Sequence, residues 1–152
     1  MILVMPITAP FAPPGEIQQI HSFKPFGFFS NEKSSDGEHS GGFTLHVWDS
    51  PKGLYILLWV HEGLIGDGSP LRAVDVFFDP KSTRLTFRAE QSKGQFIRFS
   101  GSLTNGVAKG TFRFPSGFIA NGQVMARCCD DAKKKRSYSS LEALEKDWIH
   151  EQ

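Results

Sequence analysis

Apolar and polar residues alternate in short runs from Gly41 to about Asp130, and nearly every run ends at a turn that contains Gly, Pro or Asn. Alternation with a period of two is typical of a β-strand that buries one face. Asn105-Gly106 is the strongest hairpin signal, because Asn-Gly suits the primed turns whose twist matches the flanking strands. The pattern predicts successive antiparallel strands at Phe43–Asp49, Leu54–His61, Leu71–Asp79, Thr83–Gln91, Gln95–Leu103, Val107–Phe114 and Ile119–Cys129.

The residues before this region are less regular. Residues 1–15 are largely apolar and rich in proline, which predicts an extended N-terminal arm. Glu16–Phe23 predicts a first strand that Pro25 interrupts. The polar, glycine-rich residues 31–42 predict a long loop. Near the other end, Asn121-Gly122 inside the last strand indicates either a turn or a bulge.

The C-terminal residues change from strand-like to helical spacing. Asp130–Arg136 is a charged linker, and its basic part is typical of both a phosphate-binding patch and a solvated linker. Ser139 or Ser140 can then cap a helix at about 139–149. The apolar residues of this segment follow helical spacing at Leu141, Leu144, Trp148 and Ile149.

Together these elements predict one all-β domain at residues 16–152. About eight antiparallel strands meander into a barrel or a strongly curled sheet, followed by one C-terminal α-helix. This succession resembles the calycin-type barrels, such as the lipocalins and their relatives. The resemblance implies an architecture and no particular site residues, because the Gly-x-Trp signature of lipocalins is absent near the first strand.

The hairpin between Phe43 and His61 is apolar on both of its predicted faces. If the turn keeps a simple register, one face is aliphatic apart from Phe43. The other face gathers side chains that mostly combine apolar contact with a polar tip: His46, Trp48, Tyr55, Trp59 and His61. Such a surface suits a small, largely apolar ligand. It would equally form a second packed layer beneath the C-terminal helix or against a symmetry partner.

The later strands place basic residues on their polar faces, at Arg84, Arg88, Arg98, Lys109 and Arg113, with Phe96 among them. Interleaved arginines and an aromatic ring can hold phosphates and stack a base. The alternative is a solvated face whose charges pair with Asp75, Asp79 and Glu90 and discourage edge aggregation. We favour the solvated face, because the basic residues are spread thinly and the net charge of the chain is +1. Nucleic acid is therefore not an expected partner.

The sequence contains no motif for a cofactor, a metal or a membrane span. It has no phosphate-cradling glycine loop and no Gly-x-Ser-x-Gly elbow, and its histidines match no zinc spacing. No apolar run approaches membrane-spanning length. The two cysteines, Cys128 and Cys129, are neighbours whose side chains would point to opposite faces of a strand. We therefore expect no disulfide and a reducing, cytoplasmic compartment.

Three functional hypotheses follow. The first is a non-enzymatic protein that binds a small, largely apolar ligand on the aromatic face. The second is a structural or interaction module that uses the same face as a homodimer interface. The third is an enzyme whose site lies in the loops at residues 31–42 and 62–70, with His61 or Asp67 as the groups to test. No catalytic motif supports the third.

Overall fold

The strands predicted between residues 43 and 129 are all present, and they close into an antiparallel barrel. In a computed structural model, the described residues are 22–34, 39–64, 68–129 and 131–150. The predicted arm at residues 1–15 lies outside these ranges. The strands are β1 (Lys24–Ser30), β2 (Lys33–Ser34), β3 (His39–Ser50), β4 (Gly53–Leu64), β5 (Leu71–Asp79), β6 (Arg84–Ser92), β7 (Gln95–Leu103), β8 (Val107–Arg113) and β9 (Ile119–Arg127).

The C-terminal helix is present but short. Helix α1 (Leu141–Glu145) continues directly into a π-helical turn over Lys146–His150. Ser140 is its N-cap, because the Ser140 side chain accepts a hydrogen bond from the Ala143 N–H at 3.1 Å. No helix among the described residues is long and apolar enough to cross a membrane.

The barrel closes because its first strand pairs with two others. The strand order is β1-β9-β8-β7-β6-β5-β4-β3-β2, and β1 also pairs with β3. Strand β2 is a two-residue extension that pairs with the start of β3, so the other eight strands form the barrel wall. The predicted all-β barrel of about eight strands with a C-terminal helix is confirmed.

Two predictions about the start of the barrel are wrong, namely the interruption at Pro25 and the single loop at residues 31–42. Strand β1 contains Pro25, whereas the predicted strand Glu16–Phe23 lies mostly outside the described ranges and stays a prediction. Pro25 lies opposite Trp48, where the register between β1 and β3 shifts, and a proline is tolerated at such an irregularity. Residues 31–42 are not one loop either, because β2 pairs with Ser40 and Gly41 and lengthens the hairpin.

The two Asn-Gly pairs have different outcomes. Asn105-Gly106 joins β7 to β8, but neither residue has the positive φ that a primed turn requires. Instead, Thr104 Oγ1 accepts hydrogen bonds from the N–H groups of Gly106 and Val107, at 3.4 and 3.2 Å. The bulge interpretation of Asn121-Gly122 is confirmed, because the register between β8 and β9 shifts there and Gly122 has a φ of 62°.

Side chains fill the barrel interior. The Phe43 ring stacks on Phe112 with 3.9 Å between centroids, and Phe99 lies against Phe112 at 4.9 Å. Strands β7 and β8 approach closely where Gly101 faces Gly110. A Cβ atom added to Gly101 would lie 2.6 Å from the Gly110 Cα, so this contact requires glycine. The middle of the barrel is therefore a packed core.

The seam between β4 and β5 is paired over only a short length. In the described residues, β4 pairs with β5 at Leu57 and Leu58. Farther along β5 the register against β6 shifts, and Asp75 in this bulge has a φ of 52°. The Asp75 carboxylate pairs with the guanidinium of Arg88 on β6. The first part of β4 and the second part of β5 therefore diverge at one end of the barrel.

The expectation that the two cysteines form no disulfide is wrong. Cys128 and Cys129 are bonded to each other through their sulfur atoms. Strand β9 ends at Arg127, and Cys129 has a φ of 62°. The alternation that separates neighbouring side chains on a strand does not apply beyond the strand, so the two sulfur atoms can meet.

Candidate functional site

The five side chains predicted to share one face of the first hairpin do share it. Strands β3 and β4 pair in simple register without a bulge, with Trp48 opposite Tyr55 and Gly42 opposite His61. Side chains directly opposite each other lie on the same face. The aromatic wall, as we call this outer face, therefore comprises His46, Trp48, Tyr55, Trp59 and His61.

The C-terminal residues lie across the aromatic wall. We call residues 131–150 the C-terminal cover. Leu144 and Trp148 of the cover are buried against Trp48 and Leu57 of the hairpin. The indole of Trp148 also meets Trp59 edge to face, at 5.9 Å between ring centroids. The wall is thus a second packed layer outside the barrel, which is one of the two arrangements that the sequence allowed.

Backbone and side-chain hydrogen bonds fasten the cover to the barrel. Phe23 and Tyr138 exchange two backbone hydrogen bonds of 2.9 Å. The Trp48 indole N–H donates to the carbonyl of Arg136 at 3.4 Å. Within the cover, the Asp147 carboxylate accepts hydrogen bonds from the Tyr138 hydroxyl and the Arg136 guanidinium. These hydrogen bonds, that of Tyr138 above all, hold the pKa of the Asp147 carboxyl below its usual value. The basic part of the linker, residues 133–136, therefore belongs to the cover.

His46 is the most enclosed polar residue of the wall. It is fully buried, with its ring 3.7 Å from that of Trp48 and 4.5 Å from that of Trp148. Its Nε2 lies 3.3 Å from the carbonyl of Lys134, while its Nδ1 has no hydrogen-bond partner among the described residues. Burial lowers the pKa of His46 to about 3. The imidazole is therefore neutral at physiological pH.

A polar contact links the edge of the wall to the helix. The Tyr55 hydroxyl donates to the Glu145 carboxylate at 2.6 Å, and Arg72 pairs with the same carboxylate at 2.6 Å. Burial and the Glu145 hydrogen bond together raise the pKa of Tyr55 well above its usual value. Tyr55 therefore remains protonated and acts here as a donor that positions the cover.

The fifth wall residue, His61, belongs to a chain of polar contacts. Its Nε2 lies 2.8 Å from Thr44 Oγ1, and its Nδ1 lies 3.3 Å from the Glu32 carboxylate. A hydroxyl, an imidazole and a carboxylate in this order can activate a nucleophile. Thr44, however, is only 3% exposed, so a substrate cannot reach its hydroxyl. The Ser30 hydroxyl lies 2.7 Å from Thr44, so the contacts join β1, β3 and β4.

The space most suited to an apolar ligand lies where β4 and β5 diverge. This mouth pocket has a volume of about 520 Å³. Its lining is mainly apolar and consists of Phe26, Asp49, Gly53, Leu54, Val76, Phe77, Phe78 and Pro80. The Phe77 side chain is 56% exposed at the entrance. A larger groove of about 630 Å³ at the other end of the barrel has Val124 as its one apolar side chain, and its other lining residues are Asn31, Lys33, Ser34, Gly41, Gly42 and Gln123.

Sequence reasoning did not identify the mouth pocket, although one signal for it was present. Val76, Phe77 and Phe78 are consecutive apolar residues in a strand that otherwise alternates. The bulge beside Asp75 changes the phase of that strand, so both Val76 and Phe78 pack toward the core. Phe26 was missed because the interruption expected at Pro25 left it outside every predicted strand, whereas β1 contains both residues.

We found no match to this chain among protein-family models, curated proteins or solved structures. Among the described residues, no group of three or more His, Cys, Asp or Glu side chains could hold a metal ion. Asp67, named in the enzyme hypothesis, lies outside the described ranges. A function for this chain therefore has to be inferred from the geometry of the barrel and its surfaces.

Proposed function

We propose that this chain is a non-enzymatic binding protein for a small, largely apolar ligand, and that the ligand enters the mouth pocket. The divergence of β4 and β5 is the observation that carries the proposal, because it opens an apolar space beside an otherwise filled barrel. A volume of about 520 Å³ falls within the range of small-molecule sites.

The chemistry of the lining suggests the form of the ligand. Phe26, Leu54 and Phe78 would contact an apolar body, and the exposed ring of Phe77 would cover it. Asp49 supplies a carboxylate on the pocket lining. A ligand with an apolar chain or ring and one hydroxyl or amine at its end would satisfy both parts of the pocket.

The aromatic wall is the alternative site within the same function. A ligand, or a second copy in a homodimer, would have to displace the C-terminal cover before it reached Trp48 or His46. The cover is fastened by buried rings and by hydrogen bonds, so displacement costs free energy that binding in the mouth pocket does not require.

The test is a thermal-shift and native mass spectrometry screen of lipids, sterol-like rings and aromatic amines. Val76→Trp should fill the mouth pocket and abolish the ligand-induced shift. Ile119→Trp is the matched control, since Ile119 is exposed on β9 and lies outside the pocket lining. Binding that survives Val76→Trp but is lost in Trp59→Ala would place the ligand on the wall. Absence of any ligand in the screen would contradict the proposal.

A cytoplasmic location is part of this proposal. Its support is that the chain has no multi-cysteine framework of the kind found in small secreted domains, since its two cysteines are adjacent and their disulfide closes no long loop. The disulfide itself counts against a reducing compartment, because such bonds persist in oxidising ones. Fractionation of cells that express the tagged full-length chain would test the location, and recovery from a secretory compartment would contradict it.

A further inference from the structure

The register of the barrel collects basic side chains that are distant in sequence. Arg88 of β6 lies directly opposite Arg98 of β7, and Arg98 lies directly opposite Arg113 of β8. Side chains in such positions have Cβ atoms about 5 Å apart on one face of the sheet. We call these three residues the arginine row. The sequence suggested thinly spread charges, whereas the fold places them side by side.

The neighbouring positions on the same outer face extend this surface. Two residues along each strand from the arginine row, hydroxyl side chains face one another at Thr86, Ser100 and Thr111. The next step brings Arg84 and Lys109 onto the same face, on either side of Ser102. Five basic residues and four hydroxyl groups therefore share one continuous outer surface of β6, β7 and β8.

The solvated-face interpretation predicted that acidic residues would neutralise these charges. In the described part of the chain, Arg88 pairs with Asp75. Arg84, Arg98, Lys109 and Arg113 form no ion pair with another described residue. Asp79 lies opposite Arg84, and Glu90 lies one step beyond the row on the same face, but among the described residues neither forms an ion pair with a basic residue of this surface. Like charges directly opposite each other destabilise a sheet, so the Arg98–Arg113 part of the row is left without an acidic partner.

The second part of that interpretation was protection of a sheet edge. Strands β6, β7 and β8 each have a hydrogen-bonded neighbour on both sides in the closed barrel. They expose no edge that would need charged residues to prevent aggregation. Protection of a sheet edge therefore does not explain the basic residues on this face.

Aromatic rings lie beside the charges. The guanidinium of Arg88 lies 4.0 Å from the centroid of the Phe96 ring, which holds that cation flat against the sheet. Phe77 lies opposite Thr86 at the border of the surface and is 56% exposed. Of the hydroxyl groups, that of Thr111 donates to the Asn121 side chain at 2.7 Å. An exposed ring beside guanidinium groups that form no ion pair, such as those of Arg98 and Arg113, matches the chemistry of a base next to its phosphates.

We propose that this face of the barrel binds single-stranded nucleic acid. Four basic residues that form no ion pair would contact phosphates, namely Arg84, Arg98, Lys109 and Arg113. The Thr86 and Ser100 hydroxyls would donate to phosphate oxygens, and Phe77 would stack on an unpaired base. A duplex hides the faces of its bases, so Phe77 favours a single strand. The net charge of +1 limits long-range attraction, and the affinity comes from this local surface.

The test is fluorescence anisotropy of a labelled 15-nucleotide single strand with the full-length protein. Binding in the micromolar range is expected at 50 mM salt, as for other sequence-independent binding. About four phosphate contacts predict a roughly 50-fold loss of affinity between 50 and 200 mM salt. Arg98→Gln/Arg113→Gln should weaken binding at least about 10-fold and make it less dependent on salt. Phe77→Ser should weaken binding and leave the salt dependence unchanged.

The matched control is Lys33→Gln/Lys52→Gln, which removes two exposed positive charges from β2 and from the β3–β4 turn. It should change the affinity less than about twofold, because only local contacts matter. The proposal is overturned by no binding at 50 mM salt, by an equal loss in the control, or by equal binding of a duplex. Binding of phosphatidylserine vesicles through the arginine row, without binding of the oligonucleotide, would also overturn it.

Discussion

At the scale of single residues, His46 shows how the surroundings of a side chain decide its chemistry. The sequence placed it on the aromatic wall as a ligand-binding candidate. In the fold its ring is enclosed by Trp48, Trp148 and Phe28, and its only described hydrogen-bond contact is with the Lys134 carbonyl. Alternation along the strand predicted its face correctly. It could not predict the enclosure, because the enclosing rings come from distant segments.

The burial of His46 predicts a pH dependence. Its pKa is about 3 in the folded chain against an ordinary value of 6.5, so the unfolded chain binds the proton more readily. Stability is then fully present above pH 6.5 and falls as the pH is lowered toward 3. The expected loss from this group is roughly 2 kcal/mol at pH 5. Urea unfolding at pH 7.5, 6 and 5 would measure it.

His46→Phe keeps an aromatic ring in the enclosure and should flatten that profile. His61→Gln is the control. Burial lowers the pKa of His61 too, but the Glu32 carboxylate opposes that shift, so this variant should change the pH profile less than His46→Phe does. A profile that is unchanged by His46→Phe would show that His46 does not carry the pH dependence.

The glycine pair between β7 and β8 gives a second residue-level prediction. Gly101→Ala should lower the free energy of unfolding by about 1–3 kcal/mol, because its Cβ would overlap the Lys109 carbonyl and the Gly110 Cα. Gly106→Ala is the control, since a Cβ there meets nothing within 4 Å and the backbone is unstrained. Chemical denaturation would compare the two, and equal effects would refute the close approach.

At the scale of elements, spacing predicted regular segments well and irregular ones poorly. The limits of β5 and β7 coincide with the predicted runs. The bulge at Asp75 and the disulfide at Cys128 and Cys129 were missed. Each depends on a positive φ at a residue other than glycine, which tertiary contacts impose and composition does not signal.

The packing of helix α1 on the aromatic wall can be tested, because the two leucines of the helix differ in burial. Leu144→Ala should cost about 2–4 kcal/mol, since Leu144 is fully buried against the aromatic wall. Leu141→Ala should change stability by less than about 0.5 kcal/mol, because Leu141 is 42% exposed. Urea unfolding followed by tryptophan fluorescence would measure both. Similar values for the two variants would mean that the helix does not pack on the wall.

At the scale of the whole molecule, closure depends on a short junction. Strands β1 and β9 pair at two positions, Phe29 with Arg127 and Ser30 with Ala126. The Arg127 guanidinium adds hydrogen bonds to the carbonyls of Phe26 and Asn105, at 2.8 and 3.1 Å. Arg127 is far in sequence from the strand that it joins, so its role leaves no periodic pattern in the sequence. The sequence therefore predicted the strands but did not decide between a closed barrel and a curled sheet.

Arg127→Met should therefore loosen the closure. We expect a loss of about 1 kcal/mol, because the hydrogen bonds are partly solvated. Amide hydrogen exchange should accelerate in β1 and β9 more than in β6 and β7. Lys52→Met, in the exposed β3–β4 turn, is the control for loss of one charge. Uniform exchange rates across the barrel in Arg127→Met would count against a closing role.

The cover also has a consequence for how the protein is made. Strands β3 and β4 leave the ribosome before residues 131–150 do. Until the cover has emerged, the rings of Trp48, Tyr55 and Trp59 lack the contacts that Trp148 and Glu145 make with them. At a synthesis rate of about 5–20 residues per second, this apolar surface stays uncovered for several seconds. Docking of the cover ends the interval during synthesis in which the wall is open to association with other chains.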